Sequence, residues 1–270
     1  MALYEHLEVD VHEGVAWVTL DRPERLNALN PQLIAELNAF FGGLPSRADV
    51  RVVVLRGAGR AFCAGLDLKD MQEGGARKSV SDMLQVQKNV RDIMLAMRRC
   101  PQPIISIVQG AASGGGFALA LASDIRLLTP DARMNVAFIR VGLSGCDVGV
   151  SYFLPRMVGA SVAAEYMLTG RFMNAQRALG LGLASRVDEL PALEEEAAAL
   201  AADMLAATPL GLRLTKDALS FSIDAPSLES AIAMEDRNQV LCTQGEDFSE
   251  GIAAFLEKRA PRYSGQGDTP

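Results

Sequence analysis

The apolar, β-branched run Ile105 to Val108 leads through Gln109 and Gly110 to three consecutive glycines, Gly114, Gly115 and Gly116, which open the apolar stretch 117–122. A strand that passes through glycines into a helix leaves the first backbone N–H groups of that helix unshielded. Such a terminus is a site for negative charge. The same glycines also suit a helix that lies close against a strand, so close packing is the competing reading.

A second loop of this kind lies upstream. The strand predicted at 50–55 ends in 56–60 (RGAGR) and continues as 61–68 (AFCAGLDL). Two glycine-loosened turns, each following a strand, can present one N–H apiece to a single oxygen that gains charge during a reaction. The pair reads as an oxyanion hole.

Five segments occur in order: 21–29 (DRPERLNAL), 61–68 (AFCAGLDL), 110–116 (GAASGGG), 122–126 (ASDIR) and 246–259 (EDFSEGIAAFLEKR). Through this ordered set the chain resembles the crotonase superfamily, the enoyl-CoA hydratase/isomerase group, from about Tyr4 to Tyr263. The resemblance implies an α/β fold, a spiral of β-β-α units with a helical C-terminal region. Residues 1–200 would form the core with the acyl-CoA site, and 201–270 a helical oligomerisation region of a homotrimer or homohexamer. The oxyanion donors would be the N–H groups of Leu66 and Gly115. Coenzyme A, as part of an acyl-CoA thioester substrate and not as a tightly bound cofactor, would be held by Arg25, Ala28, Ala64, Asp67 and Leu68. Phe255 and Lys258 would reach it from the C-terminal helix of the same or a neighbouring subunit. Asp67 reads as structural or adenine-contacting, and Lys258 also suits a helix C-terminus for electrostatic reasons alone.

The residues that would move protons depart from the best-known hydratases. Those enzymes use two glutamates, and the matching positions here are Ala118 and Phe138. The remaining acid near the loops is Asp147, in 142–149 (GLSGCDVG), where some relatives use an aspartate as acid/base or nucleophile. The alternative for Asp147 is the N-cap of a helix starting at 147. Phe117, Phe138 and Leu143 are expected to surround it. The two histidines, His6 and His12, lie on an N-terminal hairpin, far in sequence from the loops, which argues against a Ser-His-Asp or Cys-His mechanism and against a metal centre. Isomerisation or thioester hydrolysis through Asp147 is therefore expected over simple hydration. A non-catalytic acyl-CoA carrier or regulator is the alternative.

Composition narrows the partners. A net charge of −7 without a basic run argues against nucleic acid. No apolar run approaches the ~20 residues that a membrane span needs, and the first residues lack a secretion signal. A cytoplasmic location is expected. Cys63, Cys100, Cys146 and Cys242 form no CxxC pair, so neither zinc nor a disulfide frame is indicated. Cys63 and Cys146 flank the proposed site, where alkylation is a route to inhibition.

Periodicity predicts a hairpin of 9–11 and 15–20, a helix from Pro31 capped by Asn30, a long helix over 80–97, and strands at 104–108 and 123–128. Helices are predicted at 147–157, 161–168, 175–180, 191–206, 209–220, 227–241 and 246–258. Met71, Met83, Met94 and Met97 fit either a flexible apolar tunnel or, more simply, the core. Residues 70–80 look like a mobile loop beside the pocket, and 264–270 are too polar and too short to pack.

Overall fold

The computed structural model describes residues 4–73 and 79–264. Leu7–His12 (β1) and Val15–Leu20 (β2) form the predicted hairpin, turned by Glu13 at φ +48° and Gly14 at φ +83°. Val52–Gly57 (β3), Ile104–Val108 (β4), Ile125–Leu128 (β6) and Arg186–Val187 (β9) extend it in parallel, giving the order β1-β2-β3-β4-β6-β9. A second sheet is built from Ala111–Ser113 (β5), Arg133–Asn135 (β7) and Met173–Asn174 (β8). It was not predicted, because two- and three-residue strands carry no readable alternation.

Helices cover both faces of the large sheet. Pro31–Gly43 (α1) begins where expected, with Asn30 Oδ1 accepting from the Leu33 N–H at 2.8 Å. Leu68–Glu73 (α2) is short, and Val80–Arg99 (α3) starts at a Ser79–Asp82 capping box. Gly115–Ala122 (α4) is buried along its whole length. Then come Val150–Val158 (α5), Ala160–Thr169 (α6), Ala175–Gly180 (α7), Leu190–Leu205 (α8), Pro209–Ser222 (α9), Leu228–Cys242 (α10) and Glu246–Glu257 (α11). The mixed α/β architecture and helical C-terminal part agree with expectation.

Strand β3 is apolar from Val52 to Leu55 because both of its faces are covered there. Val53 and Leu55 join the larger core with α1, α3 and α4, whereas Val52 and Val54 meet Leu193, Ala197 and Ala201 of α8. The boundary drawn at 200/201 falls inside α8. Met94 and Met97 are core residues, Met83 is exposed, and the Met71 side chain lies outside the described residues. So do residues 74–78 of the anticipated mobile loop and 265–270 of the tail. Ser264 is held by Asp247, its N–H at 2.7 Å and its hydroxyl at 2.8 Å. Among the described residues no single helix is long and apolar enough to cross a membrane.

Helix α9 is fastened to the core by a buried cation. The Lys216 Nζ, with its side chain 4% exposed, lies 3.0 Å from Asp124 Oδ2 and donates to the carbonyls of Gln102 at 2.7 Å and Met97 at 3.2 Å. Asp124 also takes Arg98 Nη1 at 2.6 Å, and Arg98 Nη2 reaches Ser220 Oγ of α9 at 2.6 Å. Lys216→Ala leaves two carbonyls to the weak Cys100 thiol donor and removes one of the two cations that face Asp124. The expected loss is about 2–3 kcal/mol of stability, read from the urea midpoint at constant m-value.

Candidate active site

Where β3 ends, the chain becomes a backbone partner for the strand that follows β4. The N–H groups of Phe62 and Cys63 donate to Gln109 and Ala111, and the Ser113 N–H returns to the Cys63 carbonyl at 3.0 Å. Glycine is compulsory where these backbones cross. A Cβ on Gly116 would lie 2.0 Å from the Cys63 carbonyl oxygen, and one on Gly65, at φ +91°, would lie 2.6 Å from that of Ser113. The Gly65 position is also within 3.5 Å of the Gly115 nitrogen by the same measure, so the loops 63–66 and 113–116 touch.

A third segment locks the first loop in place. The Leu29 N–H donates to the Gly65 carbonyl at 2.7 Å, and the Asp67 N–H to the Leu29 carbonyl at 3.0 Å. Leu66 sits between those bonds, in a bridge with Leu29. Among the described residues, neither the Leu66 N–H nor the Gly115 N–H donates a hydrogen bond. Two free donors thus stand on contacting loops, one of them at the start of a buried helix. That arrangement can receive charge on one oxygen.

The other predicted residues are distributed unevenly. Arg25, on the 3-10 turn Pro23–Arg25, is half-buried, and among the described residues its guanidinium makes no ion pair. Ala28 is buried, Ala64 half-buried and Leu68 exposed. Phe255 is exposed, as is Lys258, at φ +55° just past α11. No described contact brings either of these two to the loops.

Asp67 is occupied rather than available. Its Oδ2 takes Arg22 Nη1 at 3.2 Å, and its Oδ1 takes the N–H groups of Lys69 at 3.2 Å and Asp70 at 3.4 Å at the start of α2. Burial pushes this carboxyl upward, but the Asp70 and Lys69 N–H groups and the Arg22 charge outweigh it and hold it below the usual carboxylate range. Arg22 itself escaped the sequence reading. Nothing in the charge pattern distinguishes it from Arg25, yet Arg22 is the buried one.

Phe138 lies on the 3-10 turn Ala137–Val141, with its ring 3.3 Å from where a Gly114 Cβ would stand, and Ala118 is fully buried in α4. Asp147 is half-buried and does not cap α5, whose N-cap is Gly149 at φ +90°. The helix starts later than predicted because Val148 and Gly149 both adopt left-handed backbone conformations. Asp147 Oδ1 accepts from the Val148 N–H at 2.8 Å and from Gln87 of α3. Of the apolar neighbours expected around it, Leu143 is exposed and Phe117 belongs to the core.

Comparison with known proteins places this scaffold. Residues 10–266 match the sequence pattern of Enoyl-CoA hydratase/isomerase. The chain belongs to the enoyl-CoA hydratase/isomerase family. It is similar to the probable enoyl-CoA hydratase EchA12 of Mycobacterium bovis, 37% identical over 98% of this chain and 93% of that protein. The 1,2-epoxyphenylacetyl-CoA isomerase of Escherichia coli K12 is 32% identical over 98% of this chain and 100% of its own length. The crystal structure of an enoyl-CoA hydratase from Bacillus anthracis superimposes with a TM-score of 0.90 at 33% identity, covering 97% of this chain and 100% of that one. The fold is that of the crotonase superfamily, and the protein is an acyl-CoA-processing enzyme of this family.

Cys63 is fully buried, which pushes its thiol up to about 12, and Cys100 is buried and raised for the same reason, whereas Cys146 is exposed. Alkylation followed by peptide mass mapping is expected to find Cys146 modified in the native protein, and Cys63 and Cys100 only after denaturation; the anticipated sensitivity at Cys63 is thereby corrected. Asp67 is held below its ordinary range, so its stabilisation is present above the unfolded-state value and fades as pH falls through the folded one. Asp67→Asn should cost about 1–2 kcal/mol at neutral pH, and the gap to wild type should close below the usual carboxylate range in parallel urea titrations.

Proposed function

We propose that this enzyme stabilises a thioester enolate or oxyanion with the N–H groups of Leu66 and Gly115 and moves the proton with Asp147. The observation that carries the reading is the pair of unpartnered donors on contacting loops. Their value lies in the transition state, where the thioester oxygen holds more charge than in the ground state. Ala118 and Phe138 have no proton to transfer, which favours isomerase or thioester-hydrolase chemistry over simple hydration.

In an isomerisation the Asp147 carboxylate takes the proton from the carbon next to the thioester carbonyl. The electron pair moves onto the carbonyl oxygen and is received by the two N–H groups. The new carboxylic acid then returns its proton two carbons further along, and the double bond shifts. Gln87 and Val148 both donate to Oδ1 of Asp147, leaving Oδ2 as the oxygen for proton transfer.

Coenzyme A enters as part of the substrate. Arg25, with no ion pair of its own among the described residues, suits a phosphoryl group. Ala28, Ala64 and Leu68 offer backbone beside it, and Asp67 shapes the loop. Phe255 and Lys258 would complete the site from a neighbouring subunit. The exposed apolar residues Phe221, Ile223, Leu228, Leu241 and Phe255 on and beside α9–α11 support a homotrimer or homohexamer. With its acidic balance, the enzyme is assigned to the cytoplasm without a nucleic-acid or membrane partner.

The test is a mass-spectrometric panel of saturated, 2-enoyl, 3-enoyl and dienoyl CoA thioesters in deuterated water. Wild type is expected to give deuterium uptake, a shifted double bond or free acid, and Asp147→Asn to lower that rate about 10²–10⁴-fold. Turnover at the wild-type rate in Asp147→Asn would remove Asp147 from the mechanism, and binding without turnover in wild type would favour the carrier reading.

A further inference from the structure

Between β2 and α1 the chain buries a charge that phosphate binding does not explain. Arg22 is 6% exposed, and its Nη1 donates to the Ala28 carbonyl at 2.5 Å and to Asp67 Oδ2 at 3.2 Å. Ala28 precedes Leu29, whose N–H and carbonyl hold the chain on both sides of Leu66. Asp67 follows Leu66 directly. One guanidinium nitrogen therefore ties together the two segments that aim the Leu66 N–H.

The backbone beneath the guanidinium is fixed as well. The Arg22 N–H donates to Asn27 Oδ1 at 2.8 Å, and Asn27 Nδ2 donates to the carbonyls of Ala58 at 2.9 Å and Ala61 at 2.8 Å. Leu26 and Asn27 are both left-handed, at φ +53° and +55°, a turn that side chains resist and that needs outside support. Arg22 is a poor choice for stability alone. Its Nε has no hydrogen-bond partner, and its Nη2 lies 3.9 Å from Asp70 Oδ2. A buried cation with incomplete hydrogen bonding is hard to justify as a stabiliser, whereas fixing two backbone segments at once is something an apolar side chain cannot do.

We propose that Arg22 is a positioning residue of the reaction, holding the Leu66 N–H on the developing oxyanion through the Ala28 carbonyl and the Asp67 carboxylate. The inference rests on the oxyanion-hole reading above. Arg22 does not touch the substrate; it sets the direction of a donor that does. A misaimed donor still tolerates the ground-state carbonyl but loses the charged oxygen, so the effect falls on turnover more than on binding.

The experiment uses the full-length enzyme and its Arg22→Met, Arg22→Lys and Asp67→Asn variants, each checked for folding by circular dichroism. An aryl-conjugated 2-enoyl-CoA serves as a Raman probe of the thioester carbonyl, coenzyme A as the affinity control, and the thioester found by the deuterium panel as substrate. Wild type should shift the carbonyl band to lower frequency. Arg22→Met should lose most of that shift and about 10–100-fold in kcat, with KM changed by no more than about threefold. Arg22→Lys should recover part of both, because a single ammonium can serve the two acceptors that Nη1 serves. Asp67→Asn, which keeps the shape, should be intermediate.

A folded Arg22→Met variant with the full carbonyl shift overturns the proposal, as does a loss confined to KM and coenzyme A affinity. If Arg22→Met does not fold, an unchanged shift in both Arg22→Lys and Asp67→Asn overturns it. No shift in wild type would instead strike down the oxyanion-hole reading, and this inference with it.

Discussion

The carbonyl of Cys63 passes so close to Gly116 that any side chain there would overlap it. This is an excluded-volume constraint and not an attraction, and the neighbourhood is arranged around it. Because the backbones cross at that distance, residues 62–63 can bond to 109–113 on one side while Gly65 lies against Ser113 on the other. The loops bearing Leu66 and Gly115 consequently form one piece. Among the described residues the Gly115 N–H, at the start of the buried helix α4 and beside the other loop, donates no hydrogen bond.

Polar side chains do in the irregular connections what ladder bonds do in the sheets. Asn27 serves two carbonyls, Gln102 reaches those of Leu44 and Val50, and Gln109 reaches that of Gly57. Irregular backbone at a strand end cannot satisfy itself, so a buried amide supplies the missing donors. The clamp made by Arg22 and Asp67 belongs to the same solution, with charge added. It joins the segment before α1 to the start of α2, two stretches distant in sequence and adjacent in space.

The family's scaffold is kept, while on the reading proposed above its usual acids are not. Ala118 is sealed inside α4 and Phe138 stands against Gly114. Asp147, the acid of that proposal, is approached by Gln87 from α3 and by the next backbone N–H. On that reading a common frame for a thioester oxygen is combined with a different proton donor, because donor geometry belongs to the backbone and proton chemistry to replaceable side chains.

The sequence by itself determined the family, the α/β architecture, the Asn30 cap, the helical C-terminal part and the two glycine loops. Each of these is written in local patterns: alternation, helical period, capping residues, and glycine where backbone must approach backbone. It did not disclose the three-stranded sheet, whose strands are too short for any period to register. Nor did it disclose which arginine of 21–29 is buried, that Asp67 is spent on Arg22 and on the start of α2, or that Asp147 stands free of the cap position. Those outcomes depend on which distant segments meet. Only the tertiary structure decided them, because a charge becomes a clamp, a ligand or a solvated surface group according to what lies within about 3 Å of it, the range of a hydrogen bond.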